Sequence, residues 1–446
     1  MYTDDKTINA NPTKRFFIEM LVRDIALEPA IAELVDNSLD GARKIREVYN
    51  NDCACDIKVS FDDKKFEIID SCGGISISDA KNYCFRFGRD TQRTFDVKEG
   101  TGVFGIGMKR ALFRMGKVFD IESVTPTERF KIHIDVDEWI KDDNPDWTFL
   151  FDEIETGLNN DISSCGTSIT VTRLHEGIKN SFINPFFRKT FFNYVQMRSS
   201  MIQQLKVNII VNEQNVQYAD EKILFSDKFR PYVKILDIDG VRMKIIAGCA
   251  RTGEPKKAGW YVQCNGRTVL FANQGEETGW GTDGVRRFHV AFAAFRGYVE
   301  FVSDNLEKLP WNTTKTGVDL SSKYYQIALE KMKDCTKLFI SWRDKVDDFI
   351  NDNPENEIKI SDIFKGSEIG MLSDDLVEYT KTDNAYKFPE LNAVDFPVPP
   401  EPFSSITFKE PKSKVDEVKV YLGNARMTNK EMGEKIFDYF YEREID

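Results

Sequence analysis

Histidine is scarce in this chain: 446 residues hold three, at positions 133, 175 and 289, none close to another. The cysteines are scattered at 53, 55, 72, 84, 165, 249, 264 and 335, without a Cys-x-x-Cys pair. A structural zinc site needs clustered soft ligands, so none is expected. Reduced thiols are the plain reading, with Cys53 and Cys55 spaced by chance in a turn. No stretch approaches the ~18 uncharged apolar residues of a membrane span. The most apolar segment, 289–302, is broken by Arg296 and Glu300 and alternates like a strand. The opening MYTDDKTINANPTKRF has no apolar core and no small-residue cleavage site, which argues against a secretory signal. Basic excess is missing as well: a net charge of −12 argues against a globally basic nucleic-acid binder. The lysines and arginines gathered in 179–206 and 242–257 read as solvated surface. A cytoplasmic protein without membrane association is the expectation.

The chain is too long for one ordinary core, and two or three domains are expected. From 29 to 48 apolar residues recur at helical spacing (Ile31, Leu34, Val35, Ala42, Ile45). DIKVSF and KFEIID follow as two strands joined by Asp62-Asp63-Lys64, a hairpin. A glycine-punctuated stretch, 73–107, leads into MKRALFRMG, a helix stopped at Gly116. Strands resume at VFDIESV, RFKIHIDV and TSITVTRL. This order describes an α+β sandwich with helices on one sheet face. A second unit begins near 180, with FFNYVQMRSSMIQQL helical, then the strands KVNIIVN, VRMKIIAG, GWYVQCNGRTVLF and FHVAFAAFRGYVEFV, and a long helix over 324–349. Six prolines between 384 and 415 suggest an extended linker. Thr428 and Glu431 stand at capping-box spacing ahead of a short terminal helix. The expected division is 1–178, 179–350 and 351–446.

AELVDNSLDGA carries the most chemistry. Glu33, Asp36, Asn37 and Asp40 sit at i, i+3, i+4 and i+7, on one helix face. A solvated face would sooner use Glu, Lys or Gln than this run of poor helix formers, so the pattern points to a site. Glu33 suits a general base for attack of water on a phosphate. The Asn37 amide oxygen suits Mg²⁺, which also keeps waters and substrate phosphates in its shell. In IIDSCGGIS, Asp70 ends a strand ahead of Gly73 and Gly74; there a carboxylate can accept from an exocyclic amine, and glycine lets a flat base approach. In GTGVFGIGMKRA the glycines at 100, 102, 105 and 107 precede a helix, so backbone N–H groups can gather on phosphate oxygens, with Lys109 adding charge. The Gly-Lys-Ser/Thr ending of a P-loop is absent. In CGTSITVTRL, Gly166-Thr167 starts a strand. Each of the last three alone is an ordinary turn or loop.

Together, in this order and spacing, the four resemble the N-box, the Asp-x-Gly-x-Gly loop, the glycine-rich lid end and the Gly-Thr strand of the GHKL (Bergerat-fold) ATPase superfamily, over about residues 16–175. That superfamily includes gyrase B, MutL, the ninety-kilodalton heat-shock chaperones, histidine kinases and MORC proteins. The resemblance implies a nucleotide site for ATP and Mg²⁺ with Glu33 as base, Asn37 as metal ligand, and Asp36 and Asp40 beside them. Asp70 would read adenine with Gly74 and the support of Thr167. Gly102, Phe104, Gly105, Ile106, Gly107 and Lys109 would hold the phosphates under a lid over 76–101. One departure is plain: Cys72 stands where the family has glycine.

GWYVQCNGRTVLF further resembles the Asn-Gly-Arg or Asn-Asn-Arg strand of MutL and MORC transducer domains. VEFVSDNLEKLPWNTTKTGVD resembles the loop whose lysine reaches the γ-phosphate, which assigns Lys315. No histidine lies on a helix upstream of the site, the chain is too short for a gyrase cleavage domain, and the Gly-Glu-Ala-Leu of MutL is replaced by Met108-Lys109-Arg110-Ala111. MORC-like ATPases remain closest. They imply a Bergerat-fold sandwich, a βαβ transducer-type domain and a C-terminal extension that docks a protein partner or covers its own core. The implied function is slow ATP hydrolysis gating a homodimeric clamp on DNA or nucleoprotein; the alternative is a chaperone-like or signalling ATPase with a protein client.

Overall fold

The computed structural model describes residues 12–23, 25–48, 53–87, 106–141, 147–198, 205–217, 222–226, 229–312, 315–365, 368–371, 388, 391–392, 395 and 404–445. Two helices come first, α1 (Lys14–Arg23) and α2 (Leu27–Val48). On α2 the residues Ile31, Leu34, Val35, Leu39, Ala42 and Ile45 recur every three or four positions, and all are buried. That stripe packs into the first core and leaves the polar face of the helix free for chemistry.

The first sheet has eight strands. They are β1 (Cys55–Phe61), β2 (Phe66–Asp70), β3 (Gly116–Val124), β4 (Glu128–Asp135), β5 (Glu153–Thr156), β6 (Gly166–Leu174), β7 (Val207–Val211) and β8 (Gln214–Val216), in the order β5-β4-β3-β6-β2-β1-β7-β8. β1 and β2 form the expected hairpin, Ile57 opposite Asp70 and Phe61 opposite Phe66. Cys55, Ile57, Val59 and Phe61 alternate inward along β1 and pack with the helices in one apolar core. α3 (Gly107–Met115) lies against α2.

KVNIIVN, read from the sequence with the second unit, is β7 and belongs to the first sheet. α4 (Glu176–Ile183) and α5 (Pro185–Arg198) carry the chain back so that β7 pairs parallel to β1, Cys55 opposite Val207. Without β7 the outer edge of β1 would leave its N–H and C=O groups unpaired, and a parallel partner requires such a crossover.

The second sheet has five strands: β10 (Tyr232–Ile238), β11 (Val241–Cys249), β12 (Gly259–Cys264), β13 (Arg267–Asn273) and β14 (Phe295–Val302), ordered β10-β11-β14-β12-β13. β12 and β14 run parallel and the other neighbours antiparallel. The long helix α6 (Lys323–Asp352) covers this sheet; Trp260 Nε1 donates to Thr336 Oγ1 at 3.1 Å. A small two-stranded ribbon pairs β9 (Lys222–Phe225) with β15 (Glu368–Met371).

The chain divides into two compact units, one of residues 1–354 and 358–395, the other of 355–357 and 396–446. Both sheets belong to the first. The second holds α7 (Lys412–Tyr421) and α8 (Asn429–Glu444). At the start of α8 the Thr428 hydroxyl accepts from Glu431 N at 3.2 Å and the Glu431 carboxylate accepts from Thr428 N at 2.7 Å. This is the capping box read from the sequence. No helix among the described residues is long and apolar enough to cross a membrane.

Candidate active site

α2 presents Glu33, Asp36, Asn37 and Asp40 on one face, as their spacing requires. Glu33 and Asp36 are buried, Asp40 is half-buried, and Asn37 is exposed. The glycine-rich segment meets this face through Gly107, the first residue of α3. A Cβ built there would lie 2.2 Å from Glu33 Oε2, so a side chain at 107 would push the carboxylate out of its present position. The positive end of α3 is thereby directed at Glu33. Ile106 forms the N-cap of α3. Gly102, Phe104 and Gly105 lie outside the described residues, as does most of the lid segment.

Lys109 is buried on α3. Its ammonium donates to Cys84 O at 2.6 Å and stands 5.7 Å from the centre of the Phe87 ring. Burial lowers its pKa to about 8, against the charge of Cys84, which raises it. The lysine assigned to phosphate thus engages Cys84 and Phe87, in the described part of the lid segment.

Asp70 closes the far end of the site. Its Oδ1 accepts from Cys72 N at 2.9 Å and Thr167 N at 3.2 Å, and its Oδ2 accepts from Ser38 Oγ at 2.6 Å. A carboxylate has about four acceptor positions, so one remains for an amine. Burial raises the Asp70 pKa above the ordinary aspartate value even though all three hydrogen bonds pull it down. Gly74 follows at φ +70, where a Cβ would meet Val124 O at 2.1 Å. Ile75 N donates to Ser123 Oγ at 2.7 Å, and Ser123 shares a 3.1 Å hydroxyl contact with Thr167. A cavity of about 160 Å³ opens beside this loop, lined in part by Gly41, Lys44, Cys72, Gly74, Thr127 and Glu128.

The second sheet reaches this face at two points. Between β12 and β13 stand Asn265 and Gly266, both at positive φ (49° and 77°), a two-residue turn of the type that Asn-Gly favours. The Asn265 side chain bonds Ser303 N and O, each at 3.0 Å, and its own carbonyl accepts from Arg43 of α2 at 3.4 Å. Held this way, the turn directs Arg267 at α2. Its guanidinium, fully buried, donates to Glu33 Oε1 at 2.7 Å and pairs with Asp36. Lys315 arrives from the turn after β14, itself at φ 50° and fixed by Asn312. Its Nζ lies 3.3 Å from Glu33 Oε2. Burial and then the positive charge of Arg267 lower the Lys315 pKa, against Glu33, Asp36 and Asp40. Glu33 therefore carries a cation on each oxygen, both supplied from more than 230 residues away in sequence.

Residues 25–167 match the family model of the Histidine kinase-, DNA gyrase B-, and HSP90-like ATPases. This segment is a GHKL-type ATPase domain. GHKL domains bind ATP with Mg²⁺, and the matched residues include α2, the Asp70 loop and α3. No curated protein matches the chain as a relative. Among the described residues no group of three or more His, Cys, Asp or Glu side chains could hold a metal ion. A Mg²⁺ ion carried on a triphosphate needs only one or two protein oxygens, and the exposed amide of Asn37 can supply one. Ser38, Ser123, Arg43 and Arg267 were not singled out from the sequence. Arg267 alone had a visible signal, the Asn-Gly-Arg element that contains it.

Proposed function

We propose that the protein is a Mg-dependent ATPase whose second sheet acts as a transducer, using the nucleotide as the switch of a dimeric, MORC-like clamp on DNA or nucleoprotein. Residues 1–178 would form the ATP-binding domain, 179–350 the transducer and 351–446 an extension. The observation that carries this reading is the convergence of Arg267 and Lys315 on Glu33. A carboxylate with a cation on each oxygen is a poor base. Lys315 is also the residue whose loop resembles the γ-phosphate sensor. In the proposed cycle Lys315 leaves Glu33 for the γ-phosphate and stabilises its developing charge. Glu33, relieved of that partner, takes the proton of the attacking water as the bond to the γ-phosphorus forms and the bond to the ADP oxygen breaks. Arg267 stays on Asp36 and Glu33 and fixes the orientation of the base. Asp70 accepts from the exocyclic amine of adenine, and Asn37 would hold Mg²⁺, which neutralises phosphate charge when bound. Once phosphate departs, Lys315 returns to Glu33 and the two sheets reset.

ATP turnover and molecular size, measured on the full chain with and without duplex DNA, test this. Glu33→Gln is expected to bind ATP but to turn it over about 100-fold more slowly or worse. Lys315→Ala should bind ATP and neither hydrolyse it nor dimerise. DNA retention should weaken with salt and strengthen with a non-hydrolysable ATP analogue. Wild-type turnover in Glu33→Gln refutes the base assignment, and no DNA retention at low salt refutes the DNA client in favour of a protein one.

A further inference from the structure

Cys72 departs from the family glycine, and Cys55 begins the strand beside it. The structure joins these two loose ends. β1 and β2 pair in register to Ile57 and Asp70, and the next step, Asp56 with Ser71, continues the ladder: Ser71 N donates to Asp56 O at 3.0 Å and Asp56 N donates to Ser71 Oγ at 2.9 Å. The regular pairing ends there, and Cys55 and Cys72 are the next residues along the two chains, close enough for their thiols to contact each other. Two thiols in contact are placed for a disulfide if their Cα atoms lie within about 7 Å. Both side chains face α2, on the same side as Ile57 and Asp70; both are buried and both thiols are free.

We propose that Cys55 and Cys72 form a redox-modification site, closed to a disulfide by a small hydroperoxide and reopened by thiol reductant, that weakens nucleotide binding when oxidised. Cys72 helps to line a cavity of about 160 Å³, which brings solvent, and a small peroxide with it, up to the pair. The two thiols interact directly, and this contact, together with Arg46, holds Cys55 toward the thiolate against the opposing effect of burial. Cys72, by the same contact and by burial, is held as the thiol. The chemistry balances. The thiolate displaces hydroxide from the peroxide and becomes a sulfenic acid. The neighbouring thiol then attacks that sulfur and expels water, so two thiols and one hydrogen peroxide give a disulfide and two waters. Reduction by a dithiol reverses it.

Closure acts on the site through Cys72 itself. Its backbone N–H holds Asp70 Oδ1, and its carbonyl packs against Gly41, where a Cβ would sit only 2.6 Å away. Bringing two sulfurs from contact to bonding distance draws Cys72 toward β1 and away from both partners. The effect on affinity rests on the ATP-site reading above; formation of the bond does not.

The test treats the full chain with hydrogen peroxide, maps its peptides without reduction, and titrates a fluorescent ATP analogue before oxidation, after it, and after dithiothreitol. A Cys55–Cys72 peptide is expected, with affinity lowered about ten-fold, the worth of one hydrogen bond to a charged group, and restored by reductant. Cys55→Ser should bind as tightly as wild type when reduced and no longer respond to peroxide, while Cys53→Ser should respond fully. A Cys53–Cys55 peptide, no cross-link, or a cross-link with unchanged affinity overturns the proposal. Reduced protein that binds no ATP would instead sink the nucleotide reading, and the peptide map would still decide the disulfide.

Discussion

Asp70 shows how much one side chain's surroundings decide. Its spacing after a strand and before two glycines was legible in the sequence. Its hydrogen bond from Ser38 was not, because it crosses 32 residues, and that from Thr167, 97 residues away, was implied only by the family resemblance. A carboxyl with a raised pKa protonates in milder acid than the ordinary value of 3.8. Protonation removes the charge an amine donor prefers, so ATP affinity should fall on acidification with a midpoint above that value. Stability moves the other way. Folded Asp70 holds its proton more tightly than the unfolded chain does, so acid passing through this window adds stability through this group. Nucleotide titrations from neutral pH downward, with circular dichroism alongside, should show weakening without unfolding. Asp70→Asn should abolish the pH response.

At the scale of elements, local pattern specified what local physics controls. The stripe on α2, the β1–β2 hairpin and the capping box of α8 follow from periodicity and turn chemistry. The parallel pairing of β7 with β1 does not, since the partner of a parallel strand is set by the crossover rather than by its own residues. β9 and β10 were likewise not read as strands. The Asn265-Gly266 turn bridges the two cases: its dipeptide is a strong local signal, and its consequence, the aim of Arg267, is long-range. Gly266→Ala places a Cβ in the left-handed region and should destabilise by about 1–2 kcal/mol in urea unfolding. Turnover should fall by more than that stability loss explains, about ten-fold or more, because the guanidinium no longer meets both carboxylates squarely. Equal losses in Gly266→Ala and in a surface-turn control such as Gly240→Ala would argue against this role.

For the molecule as a whole, the junction of Arg267 with Glu33 and Asp36 is a fully buried tie between the helix layer of the first sheet and the second sheet. Removing one partner of a buried ion pair typically costs about 3–5 kcal/mol, because the others are left uncompensated. Arg267→Ala should lose stability on that scale. In a Glu33→Gln, Asp36→Asn background the same substitution should cost far less, and a double-mutant cycle by denaturant unfolding measures the difference. Additive losses would mean that the arginine acts through packing alone. The sequence displayed all three residues, each in a recognisable segment, but only tertiary structure could bring them within one hydrogen bond.

The complete burial of the Arg267 guanidinium, 0% exposed, has a consequence for motion. Drawing the sheets apart would strand a bare cation on one side and bare anions on the other, in surroundings too poorly polarisable to tolerate either. The contact should therefore yield at its lysine alone, by exchange rather than by fraying: an incoming polyanion takes up Lys315 as Glu33 lets it go, while Arg267 keeps its carboxylates. Heat or neutral crowding agents lack that property, and a triphosphate has it.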